Sequence, residues 1–396
     1  MTAEGLRLLD SLPPYTNGGN IVRSVADLRK RGYPAALVGA VMTQARLRAK
    51  AQVKFGEFAE RMLFTDAGLE QATRLGVAAV HAGRFRAAGV HRVADLGCGI
   101  GADAMAFAAL DLEVTAVDRD EVTAAIASYN LAPFPSATVE HGSAESFDLS
   151  RVDGVYLDPA RRTAGHTNTT RITDPNDFSP SLDFAFEVAR RLPTGVKLSP
   201  GLDRGLIPDD CEAQWVSVDG QVVEMGLWFG TLARPGIRRA ALVMRGSTHH
   251  ELSAPADSDD VEPGDLGEYL YEPDGSVIRA RLIGDLARSL GAHLISAQIA
   301  YLTGNTLSES PFAAAFRIRQ LLPYNVQSLK RELRAQGIGT LEIKKRGVDV
   351  DPAVLRARLA LSGSESATLF VTRAGGAHIA ILADRIPATG ATNNSP

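Results

Sequence analysis

Two short acidic motifs carry the chemistry available to this sequence. The first is Asp95-Leu96-Gly97-Cys98-Gly99-Ile100-Gly101, which ends an apolar run and opens a helical one. Glycines at such a turn allow positive φ and close backbone approach to a ligand, and the helix start offers unpaired N–H groups. Gly97, Gly99 and Ala102 also fit the G-x-G-x-x-A turn of dinucleotide-binding proteins. Two acids speak against that alternative. Asp95 and Asp103 would repel a pyrophosphate and attract a sulfonium or amino group. The next apolar run ends at Asp118, 21 positions after Gly97 and followed by Arg119. An acid there is placed to accept hydrogen bonds from ribose hydroxyls. A third run ends at His141-Gly142-Ser143-Ala144-Glu145, where an adenine edge would meet Ser143 and Ala144. Cys98 reads as a small turn residue beside the ligand rather than a nucleophile. The set asks for a cationic, adenosine-bearing cofactor.

The second motif is Asp158-Pro159-Ala160-Arg161-Arg162, at the end of the apolar run Val152–Leu157. An exocyclic amine on a base is neutral and its lone pair is delocalised into the ring. The Asp158 carboxylate and the Pro159 carbonyl can accept its two N–H bonds and orient the nitrogen, which is catalysis by positioning and electrostatics. Arg161 and Arg162 can pair with phosphate. A further run ends in Lys197-Leu198-Ser199-Pro200-Gly201, a candidate pocket wall with Lys197 toward the substrate. Phe178 and Tyr156 are candidates to stack on an extruded base. Lys54-Phe55 and Phe64-Thr65 are candidates to pack over the cofactor. The two cysteines, Cys98 and Cys211, lack Cys or His neighbours at metal-ligand spacing, so no metal site is expected.

These motifs must be held by a sheet. Between about 91 and 248 short apolar strands alternate with helices, which implies a mostly parallel α/β sheet. The expected strands are 92–96, 113–117, 137–140, 154–157, 195–198, 212–218 and 239–244. The expected helices are 103–109, 119–129 and 181–192. Asp219-Gly220 is a hairpin signal, so the sheet should end antiparallel. Residues 1–90 show helical periodicity. Residues 249–268 hold seven acids and no Lys or Arg, and read as an acidic linker. A second folded unit is expected over 269–386, with helices near 277–290 and 326–336 and strands at 340–344, 368–372 and 378–383. The tail 387–396 is expected to be disordered.

The net charge of -4 argues against a wholly basic nucleic-acid binder. From 271 onward, however, fifteen basic residues face ten acidic ones. Eight bases fall between Arg317 and Arg346, namely Arg317, Arg319, Lys330, Arg331, Arg334, Lys344, Lys345 and Arg346. Phe312, Phe316 and Tyr324 lie among them, a pattern suited to a phosphate backbone and stacked bases. No signal peptide and no run of roughly 18 apolar residues is present, so a soluble cytoplasmic protein without membrane partners is expected.

The glycine loop, Asp118 and the Asp158-Pro159 motif together resemble the class I S-adenosylmethionine-dependent methyltransferases. The resemblance implies a Rossmann-like seven-stranded sheet with a terminal antiparallel strand. It implies S-adenosylmethionine held by Asp95, Gly97, Cys98, Gly99, Gly101, Asp118, Arg119, Ser143 and Ala144. In that family an Asn/Asp-Pro-Pro-aromatic tetrad marks base-amine methylation, and here Ala160-Arg161 replaces Pro-aromatic. Further stretches, Tyr269-Leu270-Tyr271-Glu272-Pro273, Ile343-Lys344-Lys345-Arg346-Gly347 and Asp351-Pro352 among them, resemble a largely actinobacterial group with a smaller C-terminal α/β, THUMP-like domain. Its catalytic half is similar to trimethylguanosine-synthase-type guanine-N2 enzymes. The implied substrate is tRNA or rRNA, with Lys344, Lys345 and Arg346 among its contacts. The alternatives are a catalytically inactive RNA-binding or assembly protein of the same fold, and a small-molecule methyltransferase.

Overall fold

A computed structural model describes residues 1–13, 15, 20–161 and 178–387. Arg162 and the tail 388–396 lie outside the described residues, as does the side chain of Arg161. The chain packs as two compact units. The first is Met1–Leu198 with Leu202–Cys211 and Leu227–Ala233, and the second is Ser199–Gly201, Glu212–Gly226 and the chain from Arg234 onward.

A helical preface opens the first unit, with α1 (Ala3–Asp10), α2 (Asn20–Lys30), α3 (Ala35–Phe55), a 3-10 turn at Gly56–Arg61, α4 (Asp66–Gln71) and α5 (Leu75–Ala87). Alternation follows, as β1 (Arg92–Leu96), α6 (Ala102–Ala109), β2 (Glu113–Asp118), α7 (Glu121–Leu131), β3 (Ala137–His141) and β4 (Gly154–Leu157). A two-stranded pair, β5 (Ala160–Arg161) and β6 (Phe178–Ser179), leads to α8 (Leu182–Ala189) and β7 (Thr194–Leu198). Then come β8 (Glu212–Val218), β9 (Gln221–Phe229), β10 (Arg239–Arg245) and β11 (Thr248–Ala254).

The strand order is β11-β10-β8-β9-β7-β4-β1-β2-β3. Strands β7, β4, β1, β2 and β3 run parallel, as the alternation of elements predicts. Asp219 and Gly220 have φ of 49° and 82°, the two positive values that a two-residue hairpin turn demands. β9 therefore turns back on β8, but it lies between β8 and β7 rather than at the edge. The terminal antiparallel strand is instead β11, paired with β10.

The preface shares the core of the first unit. Phe55 of α3 and Ala78, Ala82 and Phe85 of α5 bury against Phe107 of α6, Tyr156 of β4 and Trp228 of β9. Burying aromatic rings of this size supplies much of the hydrophobic stabilisation. Residues 62–68 are tied to the glycine loop in the same unit. Asn130 of α7 accepts from Leu63 N (2.8 Å) and donates to the carbonyls of Leu63 (3.1 Å) and Ile100 (2.9 Å).

The second unit corrects the linker expectation. Residues 248–254 form β11, whose Glu251 is hydrogen-bonded by Arg234 and Gln214. Asp257 pairs with Arg239 at 2.7 Å, and Ser258 Oγ accepts from Gly284 N. Acids without basic neighbours in sequence thus find cations and amides in space. A seven-stranded sheet follows, with order β13-β14-β12-β15-β18-β17-β16. Its strands are β12 (Tyr269–Pro273), β13 (His293–Ser296), β14 (Ile299–Gly304), β15 (Ala313–Pro323), β16 (Ile338–Lys345), β17 (Glu365–Ala374) and β18 (Ala377–Arg385). The single helix expected over 277–290 is two, α9 (Gly275–Arg279) and α10 (Ile283–Leu290), separated by Arg281 at φ 60°. Helices α11 (Val326–Ala335) and α12 (Pro352–Leu359) bury Leu329, Leu333, Leu355 and Leu359 against one sheet face. Among the described residues no helix is long and apolar enough to cross a membrane.

Asn130→Ala leaves three buried backbone groups unpaired, so it should cost about 3 kcal/mol. Urea unfolding of the variant measures this, and a loss under ~1 kcal/mol would show that the preface is held by packing alone.

Candidate active site

The glycine loop leaves β1 through three positive-φ glycines, Gly97 (88°), Gly99 (55°) and Gly101 (87°). A Cβ on Gly97 would sit 3.2 Å from the Asp158 carbonyl oxygen, so the first glycine allows β1 and the end of β4 to approach. Around Gly99 a Cβ would meet nothing within 4 Å, which leaves room above the loop. The Asp118 carboxylate accepts from Gly99 N (3.0 Å) and Asp120 N (2.9 Å) and so braces the loop from β2. Burial outweighs these bonds and raises the Asp118 pKa. Cys98 is buried and its thiol is pushed up by burial and by the nearby Asp95 and Asp118, which suits a packed turn residue.

Asp95 is 1% exposed, and neither of its carboxylate oxygens has a hydrogen-bond partner among the described residues. Burial first, and then the charges of Asp103 and Asp158, push its pKa well above the usual carboxylate range. A buried carboxylate without a partner is a place for a cation.

Asp103, in the first turn of α6, is equally buried but fully partnered. It lies 2.6 Å from Thr73 Oγ1 and 2.9 Å from His81 Nδ1. Burial opposes its ionisation, yet His81, the Lys197 charge and the Thr73 hydroxyl outweigh burial and lower its pKa. Tyr156 OH lies 3.0 Å from the same His81 nitrogen. Lys197 Nζ donates to Thr73 Oγ1 at 2.9 Å and pairs with Asp158 Oδ2 at 2.5 Å. The structure thus brings together Asp95, Gly97, Gly99, Gly101, Asp118, Asp158 and Lys197. Thr73, His81 and Asp103 join them, and no spacing rule singles out the first two. Lys54 contributes from α3. Its ammonium donates to the carbonyls of Leu69, Glu70 and Ala72, and burial with the charges of Arg74 and Lys197 lowers its pKa to about 8.

The remaining expected residues have surroundings of their own. Arg119 donates to Ser179 Oγ at 2.8 Å, and Ser143 bonds Glu145 while Ala144 is buried. Tyr156 and Phe178 are both buried, so neither ring offers an exposed stacking face. In the second unit Phe316 is a core residue stacked edge-on to Phe370. Lys344 pairs with Glu272 (2.7 Å) and Glu342 (3.2 Å). Arg346 donates to the Ala300 carbonyl and lies over the Tyr301 ring, while Arg319 pairs with Asp384. Lys345 is exposed. Among the described residues no group of three or more His, Cys, Asp or Glu is arranged to hold a metal.

Two Mycobacterium tuberculosis proteins, from strains CDC 1551 / Oshkosh and ATCC 25618 / H37Rv, are similar to this chain in sequence. Each is described as an uncharacterized S-adenosylmethionine-dependent methyltransferase and is 33% identical over 337 residues, covering 83% of this chain and 91% of the relative. The chain belongs to the S-adenosylmethionine-dependent methyltransferases. A crystal structure described as a "putative methyltransferase" from Porphyromonas gingivalis W83 has the same fold, with a TM-score of 0.73 at 19% identity over 97% of both chains. Residues 313–385 match the THUMP domain-like family model, and residues 1–51 match a domain of unknown function. The methyltransferase is an enzyme that uses S-adenosylmethionine, and the unpartnered Asp95 carboxylate, on the strand that leads into the glycine loop, fits that cationic cofactor.

The Asp95 environment gives a signed prediction. Its folded pKa is raised, so stability falls as pH climbs from the ordinary carboxylate range through the folded value. Asp95→Asn should therefore raise the melting temperature of the cofactor-free enzyme near neutral pH and change it little near pH 4. The same variant should lose most of the thermal shift that S-adenosylmethionine gives the wild type. Melting curves with and without cofactor at both pH values test this, and an undiminished cofactor shift removes Asp95 from the charged end of the site.

Proposed function

We propose that this methyltransferase modifies an exocyclic amine of a base, most specifically guanine N2, in tRNA or rRNA. The observation that carries the reading is Asp158-Pro159 at the carboxyl end of β4, beside the glycine loop at the place where Gly97 lacks a Cβ. Ligands of open α/β sheets bind at that edge. The THUMP domain-like match over 313–385 supports an RNA substrate, as do the exposed bases Lys345 and Arg331.

In this reading Gly97, Gly99 and Gly101 let the backbone close on the cofactor. Asp95 faces its cationic end, Asp118 its ribose, and Ser143 and Ala144 its adenine. When bound, the cofactor supplies an electrophilic methyl group already activated by a sulfonium charge. Asp158 and the Pro159 carbonyl accept the two N–H bonds of the acceptor amine and turn its lone pair toward that methyl. On methylation the acceptor amine would give up one proton to solvent, so neither Asp158 nor Pro159 would need to act as its base. Little base strength is required, and the enzyme contributes orientation and a fixed negative charge.

The test is transfer of labelled methyl from S-adenosylmethionine to RNA from a strain lacking this gene, followed by mass mapping of the product nucleoside. Asp158→Ala should lower transfer by about 100-fold or more. Unchanged transfer in that variant would remove Asp158 from the reaction. RNA affinity should fall as salt rises, with a log–log slope about 1 unit shallower for each phosphate-contacting base replaced. Salt-independent binding would exclude a phosphate footprint.

A further inference from the structure

Lys197 was expected to reach toward substrate, but its ammonium is engaged. Its side chain is 12% exposed and lies between Asp158 Oδ2 at 2.5 Å and Thr73 Oγ1 at 2.9 Å. A threonine hydroxyl has one proton to give. Thr73 gives it to Asp103 Oδ2 at 2.6 Å, so toward Lys197 the same oxygen must accept. The polarity of the chain is fixed by this count: ammonium to hydroxyl to carboxylate. His81 Nδ1, 2.9 Å from the other Asp103 oxygen, holds that carboxylate in one rotamer. His81 is itself fixed by the Tyr156 hydroxyl and by the rings of Tyr156 and Trp228, with centroids 5.3 and 5.5 Å away.

We propose that Thr73 and His81 of the helical preface are positioning residues, which through Asp103 hold the Lys197 ammonium on Asp158 and so pre-orient the carboxylate that receives the methyl acceptor. The proposal rests on the catalytic role assigned to Asp158 above. Neither Thr73 nor His81 touches substrate in this scheme. The preface earns its place in catalysis by fixing one oxygen atom of Asp158 through a buried chain of hydrogen bonds. Lys197 accordingly serves Asp158 and not a phosphate. A carboxylate held in one geometry reacts without first being reorganised, and misplacement by about 1 Å is worth about 100-fold in rate.

Among the described residues the charged groups near this pair include Asp95 on β1, Asp103 on α6, His81 on α5 and Lys54 on α3. If the Lys197 ammonium drifts from Asp158, the carboxylate loses that cation while Asp95 and Asp103 remain. The acid limb of the rate profile should then move to higher pH.

Thr73→Val keeps the shape and removes the hydroxyl. Two measurements on the full-length enzyme test the proposal. The first needs no substrate: the acylation rate of Lys197 by an acetyl N-hydroxysuccinimide ester, read by peptide mass spectrometry. Thr73→Val should label at least tenfold faster than wild type, and Thr73→Ser should return to the wild-type rate. The second is methyl transfer to the RNA described above. Thr73→Val should lower kcat about 10- to 100-fold with KM changed less than about threefold, shift the acid limb upward, and be restored by Thr73→Ser. His81→Asn, acting from the far side of Asp103, should give the same pattern and serves if Thr73→Val fails to fold. Unchanged labelling or unchanged kcat in both variants overturns the proposal, and if Asp158→Ala is inactive the proposed function still stands. Full transfer by Asp158→Ala sinks the assignment of Asp158 itself and this proposal with it.

Discussion

A buried carboxylate in the first turn of α6 is the constraint on which the active site depends. Asp103 stays ionised in the core only because it is paired and hydrogen-bonded on both oxygens. The two residues that do this, Thr73 and His81, belong to the preface, and Lys197, far away in sequence on β7, adds its charge. Removing any one leaves a charge in a poor dielectric environment. The preface therefore cannot be an appendage to the methyltransferase sheet. It shares the aromatic core around Phe85, Phe107, Tyr156 and Trp228, and it completes the charge pairing at the sheet's ligand edge.

Asp95 shows the opposite solution to the same problem. It stands on the neighbouring strand, as buried as Asp103, and no side chain of the described protein pairs with it. Lys197, the nearest cation felt by Asp95, is held by Thr73 and Asp158 instead. The relay thus divides the local charge. One acid, Asp103, is satisfied by the fold, one, Asp158, is paired with Lys197, and one, Asp95, is left without a side-chain partner, which in the proposed function is the place of the cationic cofactor. Such an arrangement costs stability in the cofactor-free enzyme, in keeping with the strain that functional sites commonly carry.

The fold of the methyltransferase sheet was legible because its signals are local. Strands β1, β4 and β8 begin and end where the apolar runs do, and Asp219-Gly220 announced its turn through backbone chemistry alone. The insertion of β9 was not legible, because strand order depends on pairing rather than on any single segment. The acidic stretch misled for a related reason. Composition counted seven acids without a base, whereas Glu251 and Asp257 meet Arg234 and Arg239 from an earlier strand and its approach. In the site, Asp95, Asp118 and Asp158 were readable from their places after apolar runs. Thr73 and His81 were not, since a lone threonine between helices and a histidine within one carry no spacing that distinguishes them.

The basic run from Arg317 to Arg346 illustrates how tertiary pairing edits a charge count. Arg319 is paired to Asp384, Lys344 to Glu272 and Glu342, Arg334 is hydrogen-bonded to the Ala360 carbonyl, and Arg346 is stacked on Tyr301. These side chains order the sheet and its helices. A phosphate that drew on one of them would have to compete with a carboxylate or carbonyl already in place, which weakens the contact by the cost of breaking that pair. Exposed bases such as Lys345 and Arg331 carry no such cost beyond a neighbouring glutamate for Arg331. With the proposed RNA substrate, nonspecific attraction would fall to fewer charges than the sequence suggests, and discrimination between bases would come from the geometry at Asp158.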